Sequence, residues 1–253
     1  MFLVSDLYSC KIIKKNIHSD YIDFWLTQPE LAKACSPGQF LHVDCCSKTT
    51  LRRPISVCET KENAVRIVFQ IKGEGTALLA QKNEGDLISV LGPLGHGFEL
   101  CDKKTLLIGG GLGTFPLLQS AKILGENSVA ILGFRNSQAV YLKEDFEKYC
   151  KDVFITTDDG SLGKKGFVTD VLKEVIADFD LVLTCGPDIM MKNIAEICIK
   201  NNVPCQVSLE ERMGCGTGVC LCCTRPIMRN NEEHNLCVCK DGPVFNAKEV
   251  YFK

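Results

Sequence analysis

The residues most able to do chemistry in this sequence are cysteines. Of sixteen, six crowd together near the C-terminus: Cys215, Cys220, Cys222, Cys223, Cys237 and Cys239. Cys215, Cys220 and Cys223 have the spacing C-x4-C-x2-C, and Cys239 follows after a further fifteen residues. Thiolates from one loop joined by a distant fourth suit a plant-type 2Fe-2S cluster. The loop GCGTGVC over 214–220 is glycine-rich, as a backbone must be to bend closely round a cluster and turn N–H groups on its sulfurs. Zinc is the main competitor, but structural zinc favours two tight C-x2-4-C pairs, and here the first gap is bracketed by glycines. Spacing alone excludes neither Cys222 nor Cys237 as a ligand. Choosing Cys223 completes the x4, x2 pattern, and its neighbour Cys222 then reads as a spectator thiol.

A second set of residues suits phosphate. Arg52-Arg53-Pro54-Ile55-Ser56 follows an extended segment, and Lys72-Gly73-Glu74-Gly75-Thr76 opens a predicted helix. An arginine can pair with a pyrophosphate, and a helix start such as Gly75-Thr76 offers unpaired N–H groups. Gly109-Gly110-Gly111-Leu112-Gly113 lies between a predicted strand and a helix, without the G-x-G-x-x-G spacing of common dehydrogenases. Its N–H groups could meet the pyrophosphate of a nicotinamide nucleotide. Cys185-Gly186-Pro187 ends a later strand, at the carboxyl edge where open α/β sheets bind ligands. Asp158 and Asp159 suit either a ribose contact or a turn, and Arg135 after the second strand leaves NADP open beside NAD.

The elements that must position these residues change character along the chain. Up to about residue 100, short branched and aromatic runs such as Ala64 to Ile71 and Leu87 to Leu91 are cut by turns, which predicts a small antiparallel β barrel. From Thr105, runs of strand type alternate with helical ones, which predicts a doubly wound parallel sheet. Past Glu211 no periodic pattern survives. The expected units are therefore a barrel over 1–101, an α/β nucleotide domain over 102–210 and a cysteine-rich segment over 211–253. A formal net charge of −2 gives no positive field to hold nucleic acid, and no apolar run is long enough for a membrane span. Met1 to Val4 are apolar, but Asp6 interrupts them before a secretory segment could form, so the expected compartment is the cytoplasm. The scattered cysteines, including the pair Cys45-Cys46, read as small buried hydrophobes.

The order RPIS, GEGT, GPLG at Gly92 to Gly95, then a nucleotide domain, resembles the ferredoxin-NADP reductase superfamily. Ile55 stands where the broad motif R-x-Y-S has an aromatic residue, and R-P-[IL]-S belongs to a branch that also carries a C-terminal 2Fe-2S site. Within it the chain resembles the electron transfer subunits of type B dihydroorotate dehydrogenases, through RRPISV, LIGGGLGTFPLL, LEERMGCGTGVC and VCKDGPVF. The resemblance implies FAD contacts at Arg53, Pro54, Ile55, Ser56, Val68, Phe69, Gln70, Gly75 and Thr76. It implies nicotinamide-nucleotide contacts at Gly110, Gly111, Gly113 and Cys185, and NAD as acceptor. Cys239 becomes the fourth ligand beside Cys215, Cys220 and Cys223, and Cys237 a spectator.

Hydride transfer moves electrons in pairs and a cluster passes them singly, so a flavin between them converts one to the other, and no side-chain acid or base is required. A chain of 253 residues filled by these units has no room for an FMN barrel of β/α units. The resemblance therefore implies a partner, an FMN-containing dihydroorotate dehydrogenase catalytic subunit, in a heterotetramer of two of each serving pyrimidine synthesis. The rival readings are the small subunit of an NADH-dependent ferredoxin:NADP oxidoreductase or of a hydrogenase, and a non-catalytic iron-sulfur or zinc-binding regulatory protein.

Overall fold

The computed structural model describes residues 6–19, 21–45 and 50–252. Met1 to Val4 and Cys46, considered above, lie outside them. Six strands close an antiparallel barrel in the order β1-β2-β5-β4-β3-β6: β1 (Asp6–His18), β2 (Tyr21–Thr27), β3 (Phe40–Val43), β4 (Arg53–Lys61), β5 (Ala64–Gln70) and β6 (Leu87–Leu94). Alternate side chains point inward, as the period of a strand requires. Phe24, Leu26, Leu41, Val57, Ile67 and Val90 fill the interior. Helices α1 (Pro29–Ala34) and α2 (Glu74–Ala80) add Leu31 and Leu79 to that core.

The expected α/β unit is a seven-stranded sheet in the order β10-β9-β8-β7-β11-β12-β15. Its strands are β7 (Thr105–Gly110), β8 (Ser128–Phe134), β9 (Asp152–Thr157), β10 (Lys164–Lys165), β11 (Leu181–Cys185), β12 (Cys205–Ser208) and β15 (Val244–Asn246). Helices α3 (Leu118–Leu124), α4 (Lys143–Tyr149), α5 (Val168–Val175) and α6 (Asp188–Lys200) connect its strands. The helix expected after the glycine loop does not start directly from it, because a 3-10 turn spans Gly111–Leu117 and the helix begins at Leu118. Pro116 in that turn has no N–H to donate.

The tail is more regular than its sequence suggests. Strands β13 (Thr224–Arg229) and β14 (Glu232–Cys237) form an antiparallel hairpin, followed by α7 (Val238–Asp241). The hairpin escaped the sequence reading because β14 is mostly exposed and polar, while one inward residue of β13 is the arginine Arg225. A signal was present in Asn230-Asn231, both in the left-handed region (φ 53° and 63°), the conformation a two-residue hairpin turn demands. Arg225 is 2% exposed and reaches Asp188 at the start of α6 (2.9 Å) and Glu211 (3.1 Å). The last strand, β15, runs antiparallel to β12, with Val207 opposite Phe245, so the tail completes the nucleotide-domain sheet.

Barrel and sheet are joined by a buried polar cluster. Arg66 on β5 pairs with Asp23 on β2 (2.8 Å), Glu59 on β4 (3.5 Å) and Asp145 on α4 (3.2 Å). From the α/β side, Tyr141 donates to Asp23 (2.9 Å), Tyr149 donates to Glu59 (2.8 Å), and Lys122 reaches Glu59 (3.3 Å). Asp23 and Glu59 are each 1% exposed, so each needs these donors to offset its desolvation. Arg66→Met, which takes the guanidinium away from two buried carboxylates, should destabilise the protein by about 3–5 kcal/mol in denaturant or thermal melts. Lys164→Ala, which breaks the exposed pair with Glu174, should leave the melting curve unmoved.

Candidate functional site

Where barrel, sheet edge and tail meet, they enclose a cleft of about 530 Å³. From the barrel, Arg53, Pro54, Ile55 and Ser56 on β4, Val68, Phe69 and Gln70 at the end of β5, and Gly75 and Thr76 in α2 all line it. Cys185, at the end of β11, lines it from the sheet. The structure thus brings together every residue implied for FAD, together with the strand end implied for the nicotinamide. Gly110, Gly111 and Gly113 do not line the cleft; Leu112 and Phe115 of the same loop do. Gly113 instead presses on the Cys185 backbone, and Gly110 on Met190 and Pro187, so these two glycines serve packing, whereas Gly111 faces open space.

The two arginines of the first motif do different work. Arg52 is tied into the barrel, donating to the carbonyls of His42 (3.3 Å) and Ser89 (3.0 Å) and to Ser89 Oγ (2.9 Å). Arg53 donates to the Leu51 carbonyl, and its guanidinium lies over Gly75, where an added Cβ would come within 2.6 Å of Cζ. Thr76 Oγ1 accepts from the N–H groups of Lys72 (2.9 Å) and Gly73 (3.2 Å) and shapes the entry to α2. The first N–H groups of a helix have no partner within it. Beside Arg53 they make a cationic, N–H-rich corner suited to a dinucleotide's pyrophosphate.

The far wall of the cleft escaped the sequence reading. Ser208, Leu209, Glu210, Glu211, Arg212 and Met213 run along it from the end of β12 to the cysteine loop. Arg225 holds Glu211 from behind. Cys185 is 2% exposed, and burial pushes its thiol pKa well up, with Glu210 adding to the rise; it is a neutral packing surface. Asp159 is committed to a turn, accepting from Ser161 N (2.9 Å) and Ser161 Oγ (2.6 Å), and Arg135 is exposed.

In the cysteine loop, backbone N–H groups converge on sulfur. Cys215 Sγ accepts from Thr217 (3.3 Å) and Cys220 (3.4 Å), Cys239 Sγ from Gly218 (3.1 Å), and Cys223 Sγ from Cys239 (3.4 Å). Burial raises the pKa of Cys215, but those N–H donors outweigh it and draw the thiol down to about 6. Cys223 and Cys239 are buried, whereas Cys220 and Cys222 are exposed. Cys237 is buried too, its Sγ 4.0 Å from the Gly218 carbonyl. Among the described residues no three His, Cys, Asp or Glu side chains are drawn into a metal cage. What the fold supplies is a cradle of N–H donors for anionic sulfur, which fits thiolates that would hold an iron-sulfur cluster.

His42 on β3 completes this region. Its ring is 1% exposed, and a Cβ on Gly216 would stand 2.8 Å from its Nδ1. Gly216 has φ +75°, so both backbone and neighbour demand glycine there. Burial, and then the Arg52 charge, lower the His42 pKa against an opposing pull from the Cys215 backbone.

Two substitutions probe the phosphate corner. Arg53→Ala removes a charge-assisted hydrogen bond of about 1.5–3 kcal/mol and should weaken flavin retention by roughly ten- to a hundredfold, while leaving the visible spectrum of any cluster intact. Gly75→Ala should weaken retention as well by pushing the guanidinium aside. Flavin content after dialysis at low protein concentration checks both.

Comparison with known proteins agrees with this geometry. The family described as the iron-sulfur cluster binding domain of dihydroorotate dehydrogenase B matches residues 210–251. The dihydroorotate dehydrogenase B (NAD(+)) electron transfer subunit of Caldanaerobacter subterraneus subsp. tengcongensis is 46% identical over 218 residues, 85% of this chain and 87% of that protein. Its counterpart in Geobacillus kaustophilus is 44% identical over 225 residues, 85% of this chain and 86% of that one. A solved structure of an NADH-dependent reduced ferredoxin-NADP oxidoreductase, studied for flavin-based electron bifurcation, aligns with TM-score 0.85 at 35% identity, covering 96% of this chain and 90% of that chain. The chain belongs to the family of dihydroorotate dehydrogenase B (NAD(+)) electron transfer subunits.

Proposed function

We propose that this protein carries electrons from an FMN-containing dihydroorotate dehydrogenase catalytic subunit to NAD+, through a 2Fe-2S cluster in its tail and FAD in its cleft, in de novo pyrimidine synthesis. The observation that carries this reading is the single cleft lined by the barrel's flavin residues, by Cys185 at the sheet edge and by the segment leading into the cysteine loop. FAD, when bound, supplies the exchange between paired and single electrons. The chain's own residues bind and orient: Arg53, Gly75 and Thr76 would hold the pyrophosphate, and Pro54, Ile55, Ser56 and Val68 to Gln70 the rest of the cofactor. Cys185, kept neutral by burial, presents a small surface against which a nicotinamide can lie. Gly110, Gly111 and Gly113 set the loop that would meet the nucleotide's phosphates, and Cys215, Cys220, Cys223 and Cys239 would ligate the cluster.

We read the units of the relay as 1–101 for flavin, 102–210 for the pyridine nucleotide and 211–253 for the cluster. Val219 and Leu221, 81% and 62% exposed beside Cys220 and Cys222, support a reading in which the cysteine loop faces the catalytic subunit, and for the assembly we propose two of each. No helix among the described residues is long and apolar enough to cross a membrane. We propose a cytoplasmic setting, in which exposed cysteines outside the ligand set, such as Cys101 and Cys222, would stay reduced.

A second reading, the small subunit of an NADH-dependent ferredoxin:NADP oxidoreductase, draws on the 35% identity to that solved structure. Mixing the anaerobically purified protein with an FMN-containing dihydroorotate dehydrogenase subunit separates the two. NAD+-dependent orotate formation supports the first reading, and its absence, together with NADH-driven ferredoxin turnover, overturns it.

Cys215→Ser, Cys220→Ser, Cys223→Ser and Cys239→Ser should each lose the cluster's visible and EPR signals, whereas Cys222→Ser and Cys237→Ser should keep them. NADH oxidation by a small artificial acceptor should largely persist in the cluster-free variants that retain FAD, while partner-coupled turnover fails. A signal that survives Cys223→Ser and vanishes in Cys222→Ser would reverse the choice within the adjacent pair.

A further inference from the structure

His42 has no place in the relay as described, yet its environment is unusual. It is 1% exposed, and neither ring nitrogen has a partner in full hydrogen-bond geometry, the nearest acceptors being the backbones of Cys215 and Arg52, whose pull on the ring is outweighed by its burial. Burying a polar group without a partner is costly, and an apolar ring of similar shape would avoid that cost. The position of His42 shows where a partner would come from. On β3 it lies directly across from Pro54 in the flavin-lining stretch of β4. It shares the outer face of β3 with Phe40, which lines the cleft and packs in one core with Cys223 and Cys239. Leu41 and Val43 point the other way, into the barrel. The Nδ1 side of the ring abuts Gly216, one residue after Cys215, in the space a side chain there would fill. The imidazole is thus wedged between the strand beside the flavin residues and the loop that would carry the cluster.

We propose that His42 is a positioning residue that seats the cluster loop on the flavin barrel and donates a ring N–H to a sulfur of the bound cluster or of its cysteine ligands. This rests on the cluster reading given above. An imidazole carries at least one N–H in either protonation state, and the backbone N–H groups on Cys215, Cys223 and Cys239 show that this region is built to donate to sulfur. A donor to cluster sulfur stabilises the more negative, reduced cluster and so raises its reduction potential. His42 does not line the cleft, so its effect falls on the cluster and not directly on flavin binding.

The test uses the full chain, purified anaerobically with FAD and cluster, and reads the cluster's midpoint potential and the EPR signal of its reduced form. His42→Phe keeps a ring and removes both nitrogens, and it should shift the potential to a more negative value and change the EPR signal. His42→Asn, which restores an N–H donor near the position of Nδ1, should bring both back toward the parent. Gly216→Ala, whose added methyl presses on Nδ1, should perturb the same signal with His42 in place, and it carries the test if His42→Phe does not hold FAD. Parental potential and EPR signal in both His42→Phe and Gly216→Ala would overturn the proposal, as would a shift in His42→Phe that His42→Asn leaves unrescued. A parent protein with no cluster signal at all would instead overturn the functional reading beneath it.

Discussion

Two buried carboxylates, Asp23 and Glu59, set the geometry on which the cleft depends. Each is held in the barrel wall and almost wholly removed from water. Each is satisfied by groups from both sides of the domain junction: Arg66 from the barrel, and Tyr141, Tyr149 and Lys122 from the α/β unit. An apolar interface of the same area could slide, whereas charged groups with fixed directional partners cannot do so without stranding a charge. The flavin-lining strands and the end of β11 are thereby held facing each other before any cofactor arrives. Orientation, which is the protein's main contribution to a hydride transfer between two bound cofactors, is built into the junction.

The cleft sets charged and polar groups on two of its walls and an apolar lining between them. Arg53 and the start of α2 form one cationic corner, and Gly75 is small because the guanidinium occupies the space above it. Between that corner and the polar far wall of Ser208, Glu210, Glu211 and Arg212, the lining is mostly aliphatic and aromatic, with Cys185 a thiol that burial keeps protonated. At the strand end implied for the nicotinamide the side chain is neither acid nor base, consistent with chemistry supplied by cofactors and not by side chains. On the opposite wall, Arg225 ties Glu211 and Asp188 together, so the segment leading to the cysteine loop and the start of α6 stay in register.

What could be read from the sequence was local. The x4, x2 spacing of the thiols, the glycines round them, and the alternation of strand and helix from Thr105 are properties of neighbouring residues, and the alternation appears in the structure as expected. The residues missed are those whose role exists only through distant contacts. Arg225 reads as a surface charge until β13 folds it inward onto Asp188 and Glu211. His42 reads as one residue of a short strand until Gly216 packs against it. Segment 208–213 shows no periodicity because it is neither strand nor helix for most of its length, and only the closed cleft reveals it as a wall. The GGG-x-G loop shows the opposite limit: its glycines were legible, but two of them answer to close packing against Pro187, Met190 and the Cys185 backbone.

The pairing of β15 with β12 has a consequence for how the protein is made. The chain emerges from the ribosome N-terminus first, so β12 presents an unpaired edge until residues 244–246 arrive, after all the cysteines of the tail have been synthesised. An open strand edge is a site for mispairing with other chains. Closing the nucleotide sheet and folding the cysteine segment are therefore one late event in biogenesis, and a nascent chain that stalls before Val244 leaves both the sheet edge and the thiols without their native cover.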